Sequence, residues 1–575
     1  MGMPVRRPAP RDWRTALPDW ESRILERKSL IPPNLVFFDE QAEKALRIFK
    51  RLKVPDIEPH ENGEYWTHGE ACDEWVFDLV RAVFGSYDVA IKRRMIQEFF
   101  LLVPKKNGKS SVAAAIMVTA AIMNRRPEAE LLLIAPTKKI ADIAFKQAHG
   151  IIKLDAELKK LFHPQVHQRT LTHRRTGAVI MIKAADKDVI TGSKATFILV
   201  DETHEFAAKA KAADIFTEIR GSLASRPDGF MIQITTQSKD PPAGVFKDEL
   251  QTARDVRDGK IILPLLPILF ELPYRIQDSE DWQKPEYWPL VNPNFGRSVD
   301  PVFLDTQMRK AKRIGAAAVA LLASQHFNVE VGLRLRQDRW AGADFWMKRP
   351  ERVASLDDLL KRSEVVVVGI DGGGLDDLLG LAVLGRERKT GKWLLWCRAW
   401  AHKIVLDRRQ EVASKLRDFE KEGTLTIVET PGDDVSALAD IVMRIEEEGL
   451  LAEGPAIAVD AAGIGAIVDE LTCEDRGLEK DRIVGIAQGW KLNGAIKDTE
   501  RKVAGGELIH DGSELMAWCV GNAKAEQRGN AVTINKQASG TAKIDPLMAV
   551  FDAVSLMTTN PEAAGSAYED EDVLV

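Results

Sequence analysis

Cysteine is scarce: Cys72, Cys397, Cys473 and Cys519 are the only four in 575 residues, and no two form a Cys-x-x-Cys pair. That excludes a zinc ribbon and a disulfide framework, and isolated thiols suit a reducing compartment. Long apolar runs are missing too. The longest, Ser110 to Met123, is too short to span a bilayer and is rich in Ala, which predicts a buried helix. The opening residues, Met-Gly-Met-Pro-Val-Arg-Arg-Pro, lack the apolar stretch of a signal peptide, and Arg6 stands where a myristoylation motif wants Ser or Thr, so a cytosolic protein is expected. Internal repeats and long low-complexity segments are also missing. Nor is there a positive excess: 80 Lys and Arg against 86 Asp and Glu leave a net charge of −6. The molecule as a whole is therefore no DNA-coating protein, and phosphate contacts have to come from local clusters such as Lys92-Arg93-Arg94 or His173-Arg174-Arg175. For each cluster a solvated helix face or turn is the commoner reading.

What is present is an ordinary soluble composition, 45% hydrophobic and 29% charged, in a chain too long for one core; two or more domains are expected. Residues 1–60 are rich in Pro and charge and read as an irregular or helical segment. From about Gln97, apolar strands at Phe99 to Val103, Leu131 to Ala135, Val179 to Ile182, Phe197 to Val200 and Phe230 to Ile234 alternate with helical stretches. This is the pattern of a largely parallel sheet covered by helices. It predicts one α/β domain over 61–325. Residues 326–360 hold Trp340, Trp346 and many charges without clear alternation and read as a linker. A second strand-rich domain is expected over 361–560, and 561–575, with Glu569 to Asp572 among small residues, as a disordered acidic tail.

Two constellations carry chemistry. After the strand Phe99 to Val103 come Pro104, Lys105, Lys106, Asn107, Gly108, Lys109 and Ser110, then an Ala-rich helix, which is the context a phosphate-binding loop requires. Backbone N–H groups and the helix N-terminus would hold the phosphates of ATP, Lys109 adds a point charge, and Ser110 is a Mg²⁺ ligand. Val103 stands where such loops usually have their first Gly. Farther on, the apolar strand Phe197 to Val200 ends in Asp201 and Glu202. A buried carboxylate at a strand end is costly unless it meets a cation, here Mg²⁺ for Asp201, with Glu202 as the base that orients water. Alone, an Asp-Glu pair there is most often a helix cap. The strand Met231 to Thr235 leads into Thr235, Thr236 and Gln237, polar groups placed to sense the γ-phosphate or to make an ordinary turn. Arg220 and Arg226 are the candidates for an arginine finger, and the sequence does not choose between them.

The second constellation is acidic. Val365 to Ile370 ends in Asp371, then come three glycines, Asp376, Asp377 and another apolar strand, Leu378 to Leu384. Ala456 to Val459 ends in Asp460, and Asp545 heads the amphipathic helix Pro546 to Met557. Each acid alone reads as a turn or helix cap. Together, two strand ends and a helix start suit two-metal phosphodiester cleavage, with two Mg²⁺ or Mn²⁺ ions held by Asp371, Asp460 and Asp545 and with Asp377 as a candidate fourth ligand. Asp552, two helical turns beyond Asp545, is left out. Gly463-x-Gly465 lacks the third glycine of a dinucleotide fingerprint.

The order of parts resembles the large terminase subunits of tailed double-stranded DNA phages, particularly the branch typified by phage HK97. That resemblance runs from about Gly69 to Thr558. Matching stretches are Thr191-Gly192-Ser193, Gly506-Glu507-Leu508-Ile509-His510, Asn522 and Lys543-Ile544-Asp545. It implies a P-loop (ASCE/RecA-like) ATPase domain with a parallel sheet followed by a C-terminal RNase H-like nuclease domain. It further implies ATP-driven movement of double-stranded DNA into a procapsid and cutting of the concatemer, by a ring of about five copies at the portal protein with a small terminase subunit, in the host cytoplasm. Lys109, Asp201 and Glu202 would serve the motor; Asp371, Asp460 and Asp545 would hold the nuclease metals. Related chains often carry Trp-Gln near the start of the ATPase, whereas Glu74-Trp75-Val76 has no Gln, which leaves the adenine contact open.

Two rivals remain at this stage. A helicase-nuclease or DNA-repair ATPase would need a second RecA-like lobe, and none is visible between Pro241 and Lys361. A catalytically inactive scaffold for DNA and portal would have no use for Lys109, Ser110, Asp201, Glu202 and three nuclease acids.

Overall fold

The computed structural model describes residues 12–184, 195–209, 211–330, 340–346, 351–460, 465–528, 531–536 and 543–563. Thr191-Gly192-Ser193, residues 461–464 with Gly463, and the acidic residues of the expected tail lie outside them. The chain divides into two compact units, Met1–Val331 and Gly332–Val575. No helix among the described residues is long and apolar enough to cross a membrane.

In the first unit, eight strands form one sheet: β1 (Glu98–Leu102), β2 (Glu130–Ala135), β3 (Phe162–Gln165), β4 (Thr170–His173), β5 (Val179–Ala184), β6 (Ala195–Asp201), β7 (Phe230–Thr235) and β8 (Leu265–Leu269). Their order is β8-β1-β7-β6-β2-β5-β4-β3. Every pair from β8 to β5 is parallel, and the pairs β5–β4 and β4–β3 at one edge are antiparallel. Strands buried on both faces explain the unbroken apolar runs: all seven residues of β6 are buried, as expected where helices cover both faces of a sheet. Helix α1 (Lys109–Met123) has buried residues nearly all round, as its Ala-rich sequence predicts. On other parts of the sheet, α2 (Ala212–Leu223) sets Ile215, Phe216 and Ile219 against Ile198 and Val200. Helix α3 (Gly244–Arg257) sets Phe246, Leu250 and Ala253 against Phe100, Leu102 and Leu265.

The strand that feeds the phosphate loop, β1, is separated from the acidic strand β6 by one strand, β7, which is the arrangement of the additional-strand ATPases anticipated above. Between Pro241 and Lys361 the only strand among the described residues is β8, and it joins this same sheet. No second nucleotide-binding lobe is present there among the described residues. Ahead of the sheet, Thr15 Oγ1 donates to Leu265 O at 2.6 Å and Leu17 N to Arg257 O at 2.7 Å, which docks the early segment onto this unit.

The second unit is built on β9 (Ser363–Gly372), β10 (Leu378–Glu387), β11 (Trp393–His402), β12 (Leu425–Val428), β13 (Ile457–Asp460), β14 (Ile483–Ile486) and β15 (Leu508–His510). The order is β12-β11-β10-β9-β13-β14, with β15 also beside β11. Strands β9, β10 and β11 form an antiparallel meander, while β13 runs parallel to β9 and β14 parallel to β13. This is the RNase H-like order. Helix α4 (Asp545–Met557) lies on the first hairpin, with its Leu547, Val550, Phe551 and Val554 fully buried.

Close approach of α4 demands glycine. A Cβ added at Gly369 would overlap the Ala549 carbonyl oxygen, and one at Gly380 would lie 2.7 Å from Pro546 N and 2.9 Å from Asp545 C.

Candidate active sites

The phosphate loop begins where β1 stops. Val103 N still donates to Thr235 O at 3.1 Å, so the position of the missing first glycine is spent on continuing the sheet. Lys106 (φ 73°) and Gly108 (φ 72°) then take left-handed backbone, a pattern that turns successive N–H groups toward one side. For Lys106 this conformation costs about 1–2 kcal/mol. Asn107 is wholly buried. Lys105 lines the same loop, where burial and the neighbouring Lys109 weigh against its charge more than Glu202 supports it.

Four predicted residues meet across the loop. Lys109, only 7% exposed, places Nζ 3.0 Å from Glu202 Oε1. Ser110 Oγ donates to Asp201 Oδ2 at 3.3 Å. Asp201 Oδ1 is buried with no hydrogen-bond partner, and burial, then the charge of Glu202, pushes its carboxyl up. Glu202 moves the other way: burial raises it, but the hydrogen bond from His204 and the charge of Lys109 outweigh burial and hold it low. Its backbone is left-handed (φ 53°), and its N–H donates to Ile234 O at 2.9 Å. The polar end of β7 is equally enclosed. Thr235, Thr236 and Gln237 are all 0% exposed, Gln237 N donates to Asn328 Oδ1 at 3.1 Å, and Thr236 Oγ1 and Gln237 Nε2 have no partner. Buried polar atoms left unpaired are rare in proteins, and their gathering at the sheet end beside the loop fits a site that takes a polar ligand.

Two arginine expectations change. Arg220 holds Glu98 (2.9 Å) and Glu249 (2.7 Å), at the end of β1 remote from the loop, so it is committed to the fold rather than to a phosphate within its own subunit. In Lys92-Arg93-Arg94, Arg94 is 5% exposed and donates to Asp228 O at 2.9 Å, with burial pushing its guanidinium down to about 9. His173 is buried too, its Nδ1 2.9 Å from Thr176 Oγ1. Neither residue is presented to a DNA backbone.

In the second unit the three acids reach one corner by different routes. Ile370 is in register with Val459, so Asp371 and Asp460 follow side by side on adjacent parallel strands, roughly 5 Å apart by strand spacing. Asp371 faces Gly380 across the hairpin, and Gly380 is where the Asp545-Pro546 backbone packs. Among the described residues no group of three or more His, Cys, Asp or Glu is arranged to hold a metal ion: the backbone positions converge, while the side chains form no ready-made ligand set. Asp377 accepts from Lys543 Nζ at 2.7 Å, and the same ammonium donates to Asp376 O at 2.7 Å. Asn522 Nδ2 donates to Lys543 O at 3.1 Å. Lys543-Ile544-Asp545 is thus tied to the hairpin on one side and to the preceding helix on the other.

Comparison with known families decides what these two sites belong to. The family of terminase large subunit ATPase domains matches residues 74–255, and that of terminase large subunit endonuclease domains matches residues 269–560. The chain belongs to the terminase large subunit family. Among curated relatives of this terminase, protein YmfN of Escherichia coli K12 is 23% identical over 398 residues, covering 67% of this chain and 80% of its own. Of solved structures, the large terminase of bacteriophage HK97 is 17% identical, covers 90% of this chain and 99% of its own, and has a TM-score of 0.45. The large terminase of a thermophilic bacteriophage is 11% identical, covers 82% of this chain and 95% of its own, and has a TM-score of 0.29.

One residue of this terminase escaped the sequence reading and another was left out by it. His204 sits between three groups: Nδ1 is 3.2 Å from Glu202 Oε2 and 3.1 Å from Thr235 Oγ1, and Nε2 is 3.3 Å from Glu205 Oε1. Burial opposes its charge, but the two carboxylates outweigh burial and raise it. The signal was there in outline, since a histidine two places after a buried acid pair returns to the same end of the sheet. Asp552 is the second. Fully buried, it accepts from Gln488 Nε2 at 3.1 Å, and burial, with the Asp460 charge adding to it, pushes its carboxyl up to about 8. Helical spacing from Asp545 excludes it from that residue's neighbourhood but says nothing of its nearness to Asp460.

Proposed function

We propose that this chain is the motor and nuclease of a packaging machine: it hydrolyses ATP to drive double-stranded viral DNA into a procapsid, and cuts the concatemer with a metal-dependent endonuclease. The observation that carries the reading is the meeting of Lys109, Ser110, Asp201 and Glu202 in one buried pocket of an additional-strand ATPase sheet. Loop residues Pro104, Lys105, Lys106, Asn107 and Gly108 cradle the phosphates. When the triphosphate enters, Lys109 leaves Glu202 for the phosphate oxygens. Glu202 then accepts a proton from the attacking water, with His204 fixing its second oxygen. Ser110 and Asp201 would hold Mg²⁺, which fits the unpartnered Asp201 Oδ1; bound there, the ion neutralises charge on the phosphates. Thr235, Thr236 and Gln237 sense the γ-phosphate, and the Thr235 contact to His204 passes its state to the catalytic glutamate.

In the nuclease, Asp371, Asp460 and Asp545 are an all-oxygen donor set, suited to Mg²⁺ or Mn²⁺. Two such ions would activate water and stabilise the leaving oxygen. Asp377, held by Lys543, anchors the segment ahead of Asp545. The partners of this reading are double-stranded DNA, a portal protein, a small terminase subunit and further copies of the chain in a ring of about five, in the host cytoplasm at the procapsid portal.

The test is paired. ATP turnover should rise with linear duplex DNA and vanish in Glu202→Gln, and plasmid nicking in Mn²⁺ should vanish in Asp371→Ala. Absence of both activities in the unaltered chain would establish the scaffold reading, and strand unwinding the helicase one.

A further inference from the structure

We infer that the buried amides of Asn292 and Asn294, with the exposed hydroxyl of Ser298, form a clamp that holds the phosphate-binding loop in its anion-receiving shape, which makes residues 292–298 part of the nucleotide site. The inference rests on the nucleotide reading above and extends it to a segment well outside the strand, loop and helix.

Asn107 and Asn294 bond reciprocally. Asn294 N donates to Asn107 Oδ1 at 3.0 Å, and Asn294 Nδ2 donates to Asn107 O at 3.1 Å. Asn107 Nδ2 in turn donates to Asn292 Oδ1 at 2.9 Å, as well as to Pro104 O at 3.1 Å within the loop. Asn292 is anchored by its own Nδ2, which donates to Trp288 O at 3.0 Å and His326 O at 2.9 Å. Ser298 Oγ donates to Lys106 O at 2.6 Å, and Trp75 Nε1 donates to Asn294 Oδ1 at 2.8 Å. Asn107 and Asn292 are 0% exposed and Asn294 9%.

The direction of these bonds matters. In a trans peptide the C=O and the following N–H point opposite ways. Tying back Lys106 O and Asn107 O therefore turns the N–H groups of Asn107 and Gly108 to the other side, where a phosphate would lie. The clamp also supports the left-handed Lys106, where a side-chain-bearing residue is strained, in a loop that lacks its usual first glycine. Substitution at Asn294 should accordingly act on nucleotide affinity before it acts on the chemical step.

The experiment is equilibrium titration of the full chain with ATP and Mg²⁺ in a Glu202→Gln background, where hydrolysis does not blur binding. The Glu202→Gln parent must bind; if it does not, the nucleotide reading itself falls. In that background Asn294→Ala should weaken ATP by about tenfold, and Ser298→Ala, an exposed position that leaves the core intact, by roughly threefold, the loss of one or two hydrogen bonds. With Glu202 restored, KM for ATP should rise more than kcat falls. A merely structural role would lower the melting temperature and leave the affinity of the folded protein alone. Should Asn294→Ala fail to fold, Ser298→Ala decides the matter. A binding parent with unaltered affinity in Ser298→Ala overturns the clamp.

Discussion

Lys109 Nζ rests 3.0 Å from Glu202 Oε1, so the cation proposed for phosphate and the base proposed for water neutralise each other. Both are largely buried, where an unpaired charge is costly, and each is the other's substitute ligand. On the proposed reading, arrival of a triphosphate would free the glutamate and engage the lysine in one exchange.

Replacing Glu202 with Gln keeps a hydrogen-bonding partner for Lys109 but removes the base. We expect ATP binding to persist and turnover to fall by about 10²-fold or more, the usual worth of a general base. Steady-state phosphate release beside equilibrium ATP binding measures both; undiminished turnover would show that another group takes the proton.

Asp460→Ala should abolish nicking of a supercoiled plasmid in Mn²⁺ and leave ATP turnover unchanged, because β13 and the nucleotide pocket belong to different units. Removal of divalent ions with EDTA should stop nicking in the unaltered chain, and Mn²⁺ should restore it. Full cutting by the variant would show that Asp460 is not part of the nuclease.

Gly369→Ala tests how Asp545 is placed. The added methyl would collide with the Ala549 carbonyl, and overpacking of this kind costs about 1–3 kcal/mol. Thermal denaturation should show a destabilised nuclease unit, and nicking should fall because α4 carries Asp545 at its first turn. A variant as stable and as active as the parent would mean that the helix is not seated as described.

Asp552 gives a pH dependence whose sign is fixed. Its carboxyl is pushed up to about 8 by burial, with the Asp460 charge adding to it against the Gln488 hydrogen bond. Between the ordinary carboxylate range, about 4, and that value, the folded state holds a proton that the unfolded state has lost. Stability should therefore decline as pH rises across this window in metal-free buffer and level off above it. Asp552→Asn should flatten the decline, as read from melting temperatures between pH 5 and pH 8; an identical slope in the variant would refute the assignment.

Much of this was legible in the residues because buried strands write themselves as continuous apolar runs. β1, β2, β6, β7 and β9 all stand within one or two residues of their expected limits; Asp201 and Asp460 terminate strands as anticipated, and Asp371 stands one residue before the end of its own. Less legible was whatever depends on long-range pairing. The edge strands β3 and β4 alternate too briefly to stand out, and β8 carries Pro267 in a short run. Arg220 was a candidate finger because sequence distance does not reveal that Glu98 and Glu249 enclose it. Asn292 and Asn294 gave no signal at all, since an asparagine flanking proline reads as a turn until its amide is seen to meet Asn107 some way up the chain.

Helix α4 has one more implication, in the order of manufacture. Domains generally fold as they emerge from the ribosome, and the nucleotide pocket is complete once Asn328 has bonded Gln237. Asp545, the third acid proposed for the nuclease, comes only with the last helix of the described residues. On the proposed reading, a nascent or prematurely stopped product would consume ATP without the means to nick a chromosome: the blade would be fitted after the engine.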